Sequence, residues 1–237
     1  MTGITSITRR PSYSAMNIPR SSCIRCGVCC KKGGPTIHTE DKKLIEKGKI
    51  TVKFLLTIRK HEPAFDNIRN LIAPAKTDIV KIKGKRDSSE CIFYDPSNSE
   101  CRIYKNRPVE CRELKCWDTR EISLLYDKNR INRKTLLSGI NDLWDLIQDH
   151  QDRCSYKKIA ELSDKVKCDN IGRKDALEKL NEMLRYDYSI RHLIVEKDKK
   201  ASEMLDFLFG RPLTATLKMF GLKTKENAYE RECINDA

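Results

Sequence analysis

The chain lacks long hydrophobic runs. No stretch approaches the roughly eighteen consecutive apolar residues that a membrane-spanning helix requires, and the opening MTGITSITRRPSYSAMNIPR contains no apolar segment of the kind a secretory leader needs. We therefore expect a cytoplasmic protein with no membrane partner. Catalytic signatures are missing too: there is no GxxxxGK[ST] phosphate loop, no GxGxxG run, no GxSxG elbow and no paired acidic motif. Nucleotide hydrolysis and serine hydrolase chemistry are disfavoured. The histidines His38, His61, His150 and His192 are dispersed, with no HxxxH or HExxH pair. His38 lies nearest a cysteine cluster and is a candidate substitute ligand, although a core or surface position is the commoner fate of such a residue. Internal repeats and low-complexity blocks are absent as well.

Thiols are abundant: eleven cysteines in 237 residues. A chain of this length buries enough core to fold without disulfides. In a reducing compartment, clustered cysteines point to metal or redox chemistry rather than to a disulfide frame, and the odd total agrees. Eight of them lie in the first half: Cys23, Cys26, Cys29, Cys30, Cys91, Cys101, Cys111 and Cys116. Cys154, Cys168 and Cys233 are scattered, without ligand spacing, and read as buried or free thiols.

Charge follows the thiols. Residues 1–120 hold 25 Lys and Arg against 13 Asp and Glu, whereas residues 121–237 hold 22 against 21. A metal centre with four thiolates carries about −2 overall, so two such centres would account for part of the basic excess as counter-charge. The remainder leaves nucleic acid or an acidic protein as candidate partners of the basic half. The densest run is KIKGKR at 81–86, for which a solvated hairpin is the plainer reading.

The pattern divides the chain into a polar, flexible N-terminal arm over 1–20, a cysteine-rich domain over 21–120 and a helical extension over 121–237 packed on it. TEDKKLIEKG predicts a short helix capped by Thr39 and closed by Gly48. DIVKIKG, CIFYD and CRIYK predict short strands, the last two paired as a hairpin across PSNS. RPVECREL predicts a helix with Pro108 in its first turn. Leu136, Ile140, Leu143 and Ile147 share one apolar face of a helix over 131–152, extended by Trp144. Further helices fit 155–166, 173–195 and 200–209, with a stop at Gly210, a restart at Pro212 and an end at Gly221. LDFLFG reads as core. The expected fold is α+β and mainly α-helical: a small, metal-bound, cysteine-rich domain with a short β-hairpin, wrapped by C-terminal helices.

Eight clustered thiols are twice four, the number that completes a tetrahedral zinc site or holds one iron-sulfur cluster. In a CxxC step, two intervening residues let the chain turn back and aim backbone N–H groups at the sulfurs. Here the step is repeated through Cys23, Cys26 and Cys29, closer to the ligand run of ferredoxins than to the paired knuckles of zinc ribbons. Cys30 is the informative addition, because adjacent residues project in different directions and more easily serve two neighbouring sites than one. The partition of the eight cysteines is left open by the sequence.

CIRCGVCC, followed at a distance by CIFYDPSNSECRIYKNRPVECRELKC, resembles the YkgJ-type or CxxCxxCC cysteine cluster family. The matching positions are the cysteines together with Gly27, Asp41, Phe93, Ile103, Tyr104, Arg107, Pro108 and Arg112, over roughly residues 20–118. The resemblance implies a zinc- or iron-chelating domain with the eight cysteines as metal ligands. A related cysteine block occurs in flagellin lysine N-methylases, but no feature here carries that activity over. Arg107 and Arg112 flank Cys111, where guanidinium groups can donate to cluster sulfurs and offset their charge. Surface pairing with Glu110, Glu113 or Asp95 is the alternative. Gly27 supplies backbone freedom in the ligand loop.

Two readings follow. One is a protein holding one or two iron-sulfur clusters, [4Fe-4S] favoured by the spacing, with a redox or electron-transfer role. As an oxidoreductase it would have no recognisable catalytic residue. The other is a zinc-stabilised binding module whose basic surface takes nucleic acid or an acidic protein.

Overall fold

Turn residues and cysteines interrupt the first half of the chain every few positions, so its elements are short. The computed structural model describes residues 20–86, 88–138, 140–168, 171–226 and 231–235, and of the expected N-terminal arm only Arg20 falls within these. The first helices are α1 (Val28–Lys31) and α2 (Lys42–Glu46). Six strands follow: β1 (Leu55–Ile58), β2 (Pro63–Asp66), β3 (Leu71–Pro74), β4 (Ile79–Ile82), β5 (Tyr94–Asp95) and β6 (Glu100–Cys101). Then come α3 (Val109–Glu113), α4 (Arg120–Leu125) and α5 (Arg133–Leu136). The second half is carried by α6 (Asn141–Arg153), α7 (Tyr156–Cys168), α8 (Arg173–Lys197), α9 (Leu205–Phe209) and α10 (Leu213–Thr216), and ends in β7 (Leu222–Glu226) and β8 (Arg231–Asn235). The fold is α+β and mainly helical, with its strands in short antiparallel pairs.

β4 is the strand expected in DIVKIKG. Its partner β1, paired from Leu55↔Ile82 to Ile58↔Ile79, was not anticipated. β4 also anchors the cysteine loop. Ile37 donates to the Val80 carbonyl (2.8 Å) and Ile82 to that of Pro35 (2.9 Å), laying the chain after the first cysteines along its free edge. The CIFYD/CRIYK hairpin exists but is confined to Tyr94↔Cys101 and Asp95↔Glu100, and residues Tyr104–Asn106 form a 3-10 turn.

Two helix expectations need correction. The face expected over 131–152 is split between α5 and α6, and Ile140 is 52% exposed. Ser138 and Gly139 are poor helix formers, and Asn132 caps α5 by accepting the Thr135 N–H. Thr39 is not a helix cap. It opens a 3-10 turn, Thr39–Asp41, in which the Asp41 carboxylate accepts the His38 N–H, before α2 begins. Gly48, Gly210 and Gly221 do end their elements, each at positive φ.

One core cluster draws on both halves: Ile37, Leu55, Val80, Cys91 and Phe93 pack with Ile147, Ile190, Phe207, Leu208 and Phe209. LDFLFG is thus core, as expected. A second cluster fills the space between α7, α8 and α10, around Tyr156, Ile159, Leu180, Leu184 and Leu213. Buried polar contacts join the halves as well. The Thr57 hydroxyl donates to the Phe207 carbonyl (2.6 Å), and Arg133 binds Asp78 while also donating to the Leu208 carbonyl. Arg211 pairs with the fully buried Glu62 (2.5 Å). Among the described residues, no helix is long and apolar enough to cross a membrane.

Candidate metal centre

The first cysteine loop is shaped by Gly27. Its φ of 75° is left-handed, and a Cβ there would overlap the hydroxyl end of Tyr94, so both backbone conformation and space require glycine. Lys31 then donates to the Gly27 carbonyl (2.9 Å), starting the single helical turn of α1 that presents Cys29 and Cys30. The second cysteine group is brought to the first by backbone: the Cys91 N–H donates to the Cys30 carbonyl (2.8 Å). Cys101 follows within the hairpin opposite Tyr94, and α3 presents Cys111.

A local motif recurs at the sulfurs. The Arg25 N–H donates to Cys23 Sγ (3.4 Å), and the backbone N–H groups of Phe93 and Ile103 reach the sulfurs of Cys91 and Cys101. In each case the donor lies two residues after the cysteine. Such amides favour the thiolate and orient it for a metal. Phe93 and Ile103 are positions that the family resemblance singled out.

Burial separates the eight. Cys23, Cys26, Cys29 and Cys116 are exposed, Cys30, Cys101 and Cys111 are half-buried, and Cys91 is buried. The hydrogen bond from the Cys30 thiol pulls Cys29 down to about 6 against burial, aided by backbone amides and the Arg107 charge, while the same bond pushes Cys30 upward. Burial raises Cys91, Cys101 and Cys111, and mutual repulsion raises them further. Cys29, Cys30, Cys91, Cys101 and Cys111 are therefore close enough to feel one another's charge. Among the described residues, however, no three of these sulfurs lie within 4.8 Å of one another.

Arg107 stacks on the Tyr104 ring, 3.7 Å from its centroid, and donates to the Tyr104 carbonyl (3.0 Å). From there its charge favours the thiolates of Cys29 and Cys101. Arg112 donates to the Arg107 carbonyl (2.7 Å). Nothing in the residue pattern indicated that Arg20 would reach Cys116, yet its Nη1 lies 3.1 Å from that sulfur and its guanidinium lies 5.8 Å from the Trp117 ring centroid.

Asp41 positions rather than ligates. Its buried carboxylate accepts both the His38 N–H (3.1 Å) and the Val109 N–H (2.8 Å), fixing the start of α3 just ahead of Cys111. His38 is fully buried, with one ring nitrogen at the Lys128 carbonyl (2.7 Å) and the other at Glu110 (3.2 Å). Both nitrogens are occupied, so His38 is a core residue rather than a cysteine substitute. In KIKGKR, Lys83 pairs with Asp206 (2.8 Å) and Lys85 with Glu90 (3.1 Å), so those charges are engaged within the fold.

A second cluster lies elsewhere. Ligand atoms of His150, Cys154 and Asp187 fall within 4.8 Å of one another, all buried. The Asp187 carboxylate already accepts from His150 Nε2 (2.7 Å), Arg191 Nε (2.9 Å) and the Leu213 N–H (2.9 Å). Arg59, also fully buried, bonds the Cys154 carbonyl (3.0 Å). A dication would join two guanidiniums in a dry site, which is strongly unfavourable, so this group is a brace between α6, α8 and α10. Cys154 is the buried thiol expected, Cys168 is exposed, and the side chain of Cys233 lies outside the described residues.

Thiols gathered from a loop, a hairpin and a helix, with amides aimed at them, define the class of thiolate metal-chelating domains. More particularly, residues 22–135, just under half of the chain, match the model of the CxxCxxCC family, "Putative zinc- or iron-chelating domain". An uncharacterized protein of Methanocaldococcus jannaschii is 30% identical over 90 residues, which are 38% of this chain and 41% of that protein. The chain thus spans about two fifths of the length of the curated relative it matches. No solved structure matches.

Proposed function

We propose that the eight clustered cysteines ligate iron-sulfur chemistry, and that the protein passes single electrons between external one-electron carrier proteins. The donor set suits the group: thiolates are soft ligands for iron or zinc, and backbone amides lie ready to offset their charge. A cluster bound there would supply reversible one-electron chemistry. The protein's own residues would hold the thiolates, with the Arg107 charge favouring that of Cys29 and Arg20 donating to Cys116, and leave Ile24 (62% exposed) and Val28 (59%) on the surface between ligands, where a carrier can approach.

The repeated three-residue step through Cys23, Cys26 and Cys29 is the observation that favours iron-sulfur over zinc, because it is closer to the ligand run of ferredoxins than to the paired knuckles of zinc ribbons. The internal pairing of Lys83 and Lys85 also weighs against a nucleic-acid surface in the KIKGKR run.

Anaerobic purification followed by iron, zinc and sulfide analysis with a visible spectrum tests this reading. Iron with matching sulfide and a reversibly bleached absorption band are expected. A colourless protein containing about two zinc per chain and no sulfide would establish the zinc-stabilised module instead.

A further inference from the structure

We infer that the hairpin β2–β3 is a membrane-contact finger, whose apolar tip enters the surface of a bilayer containing anionic lipid. The inference goes beyond the metal-binding reading and does not depend on it.

Four large apolar side chains are exposed on this one hairpin: Phe65 (54%), Ile68 (52%), Leu71 (46%) and Ile72 (67%). Phe65 and Ile72 are direct cross-strand partners and stand side by side on one face. Leu71, one residue before Ile72, belongs to the opposite face, and Ile68 lies in the connecting turn. The turn is braced in this form. The Asp66 carboxylate accepts the N–H groups of Ile68 (2.9 Å) and Arg69 (3.0 Å), and the Asn67 N–H donates to the Tyr126 hydroxyl (3.1 Å). At the base, His61 donates to the Ala75 carbonyl (2.7 Å) and Ala75 to that of Glu62 (2.9 Å). The fold thus holds the apolar tip out in water at both ends of the hairpin.

The placement of the side chains selects the occupant. A protein surface meets one face of a finger and leaves the other in water, whereas lipid surrounds the tip and covers both faces and the apex together. At about 3.3 Å per residue, the Phe65–Ile72 pair stands roughly 10 Å from the apex, the depth to which interfacial apolar groups enter. Charge agrees. From Lys60 to Lys76 the charged side chains that reach solvent are Lys60, Arg69 and Lys76 against Asp66, three positive to one negative, while Glu62 is fully buried on Arg211. A second copy would set this positive charge against itself, whereas anionic headgroups attract it. The expected absence of a membrane partner rested on the lack of long apolar runs, and a finger of this kind needs none.

Vesicle sedimentation of the full-length protein tests the inference, with pure phosphatidylcholine and with mixed phosphatidylcholine–phosphatidylglycerol vesicles. Binding to the mixed vesicles, weaker binding to the neutral ones and weakening by salt are expected. Phe65→Ser combined with Ile72→Ser should lower partitioning about tenfold or more. Lys60→Gln with Lys76→Gln should lower it about fivefold per lysine, on the mixed vesicles only. Because all four positions lie outside the core, thermal unfolding and metal content should match wild type in both variants. As a readout of depth, Phe65→Trp should gain fluorescence quenched by lipids brominated on their acyl chains. No binding to either vesicle, or binding that survives the loss of Phe65 and Ile72, overturns the inference and leaves metal binding untouched. Absence of vesicle binding together with a dimer in sedimentation velocity that the double serine variant abolishes overturns it in favour of a second copy.

Discussion

The hydroxyl end of Tyr94 occupies the space beside Gly27 where any side chain would stand. This contact clamps the first cysteine loop onto the hairpin that supplies the second group, because Tyr94 pairs directly with Cys101.

Gly27→Ala should therefore cost more than its backbone alone. A left-handed alanine costs roughly 1–2 kcal/mol, and displacing Tyr94 adds to that. Gly48→Ala, at φ 65° with nothing within 4 Å of the added carbon, isolates the backbone part. Metal content and thermal unfolding of both variants should show metal loss for Gly27→Ala only. Equal behaviour of the two would mean the Tyr94 contact is without consequence.

Asp41→Ala removes the acceptor for two backbone amides, those of His38 and Val109. The expected cost is about 2–3 kcal/mol, read by denaturant unfolding, because buried N–H groups are left unpaired. Asp41→Asn, which retains one acceptor oxygen, should recover part of it.

Arg107→Ala should weaken metal retention about tenfold or more, in the range for residues that orient or charge-balance metal ligands. Its charge favours the thiolates of Cys29 and Cys101. Arg112→Ala, which loses a bond to the Arg107 carbonyl, should have a smaller effect. Competition with a chromogenic chelator ranks the two.

His150 supplies a pH dependence. Burial holds it down at about 4, against the opposing hydrogen bond to Asp187 and with help from the nearby Arg59 and Arg191. Because the folded protein keeps His150 neutral while the unfolded chain protonates it near 6.5, this contribution is complete above pH 6.5 and is lost as pH falls toward 4. The difference is of order 3 kcal/mol across that window. His150→Gln should flatten the unfolding free energy between pH 4 and 6.5 relative to wild type. An unchanged slope would show that other groups dominate acid unfolding.

The cysteine pattern was legible because ligand spacing is local: Cys23, Cys26, Cys29 and Cys30 announce themselves within eight residues. The long helices were legible for the same reason, through apolar periodicity. β1 was missed because FLLTIRK gives no alternation that a four-residue strand buried against β4 would need to show. The backbone bond from Cys91 to the Cys30 carbonyl, the reach of Arg20 to Cys116 and the brace around Asp187 all depend on residues far apart in the chain. Asp41 was noticed only as a position of the family resemblance, and what its carboxylate fixes is the start of α3, almost seventy residues on.

The backbone bond from Cys91 to the Cys30 carbonyl also sets a timetable. During synthesis at about 5–20 residues per second, Cys23, Cys26, Cys29 and Cys30 emerge several seconds before Cys91, Cys101, Cys111 and Cys116. The core residues Phe207 and Phe209, which share a cluster with Cys91, arrive later still. Under the proposed ligation, metal delivered before Cys91 emerges would find only half of the clustered cysteines, so loading would follow the closing of hairpin, helix and core around Cys91.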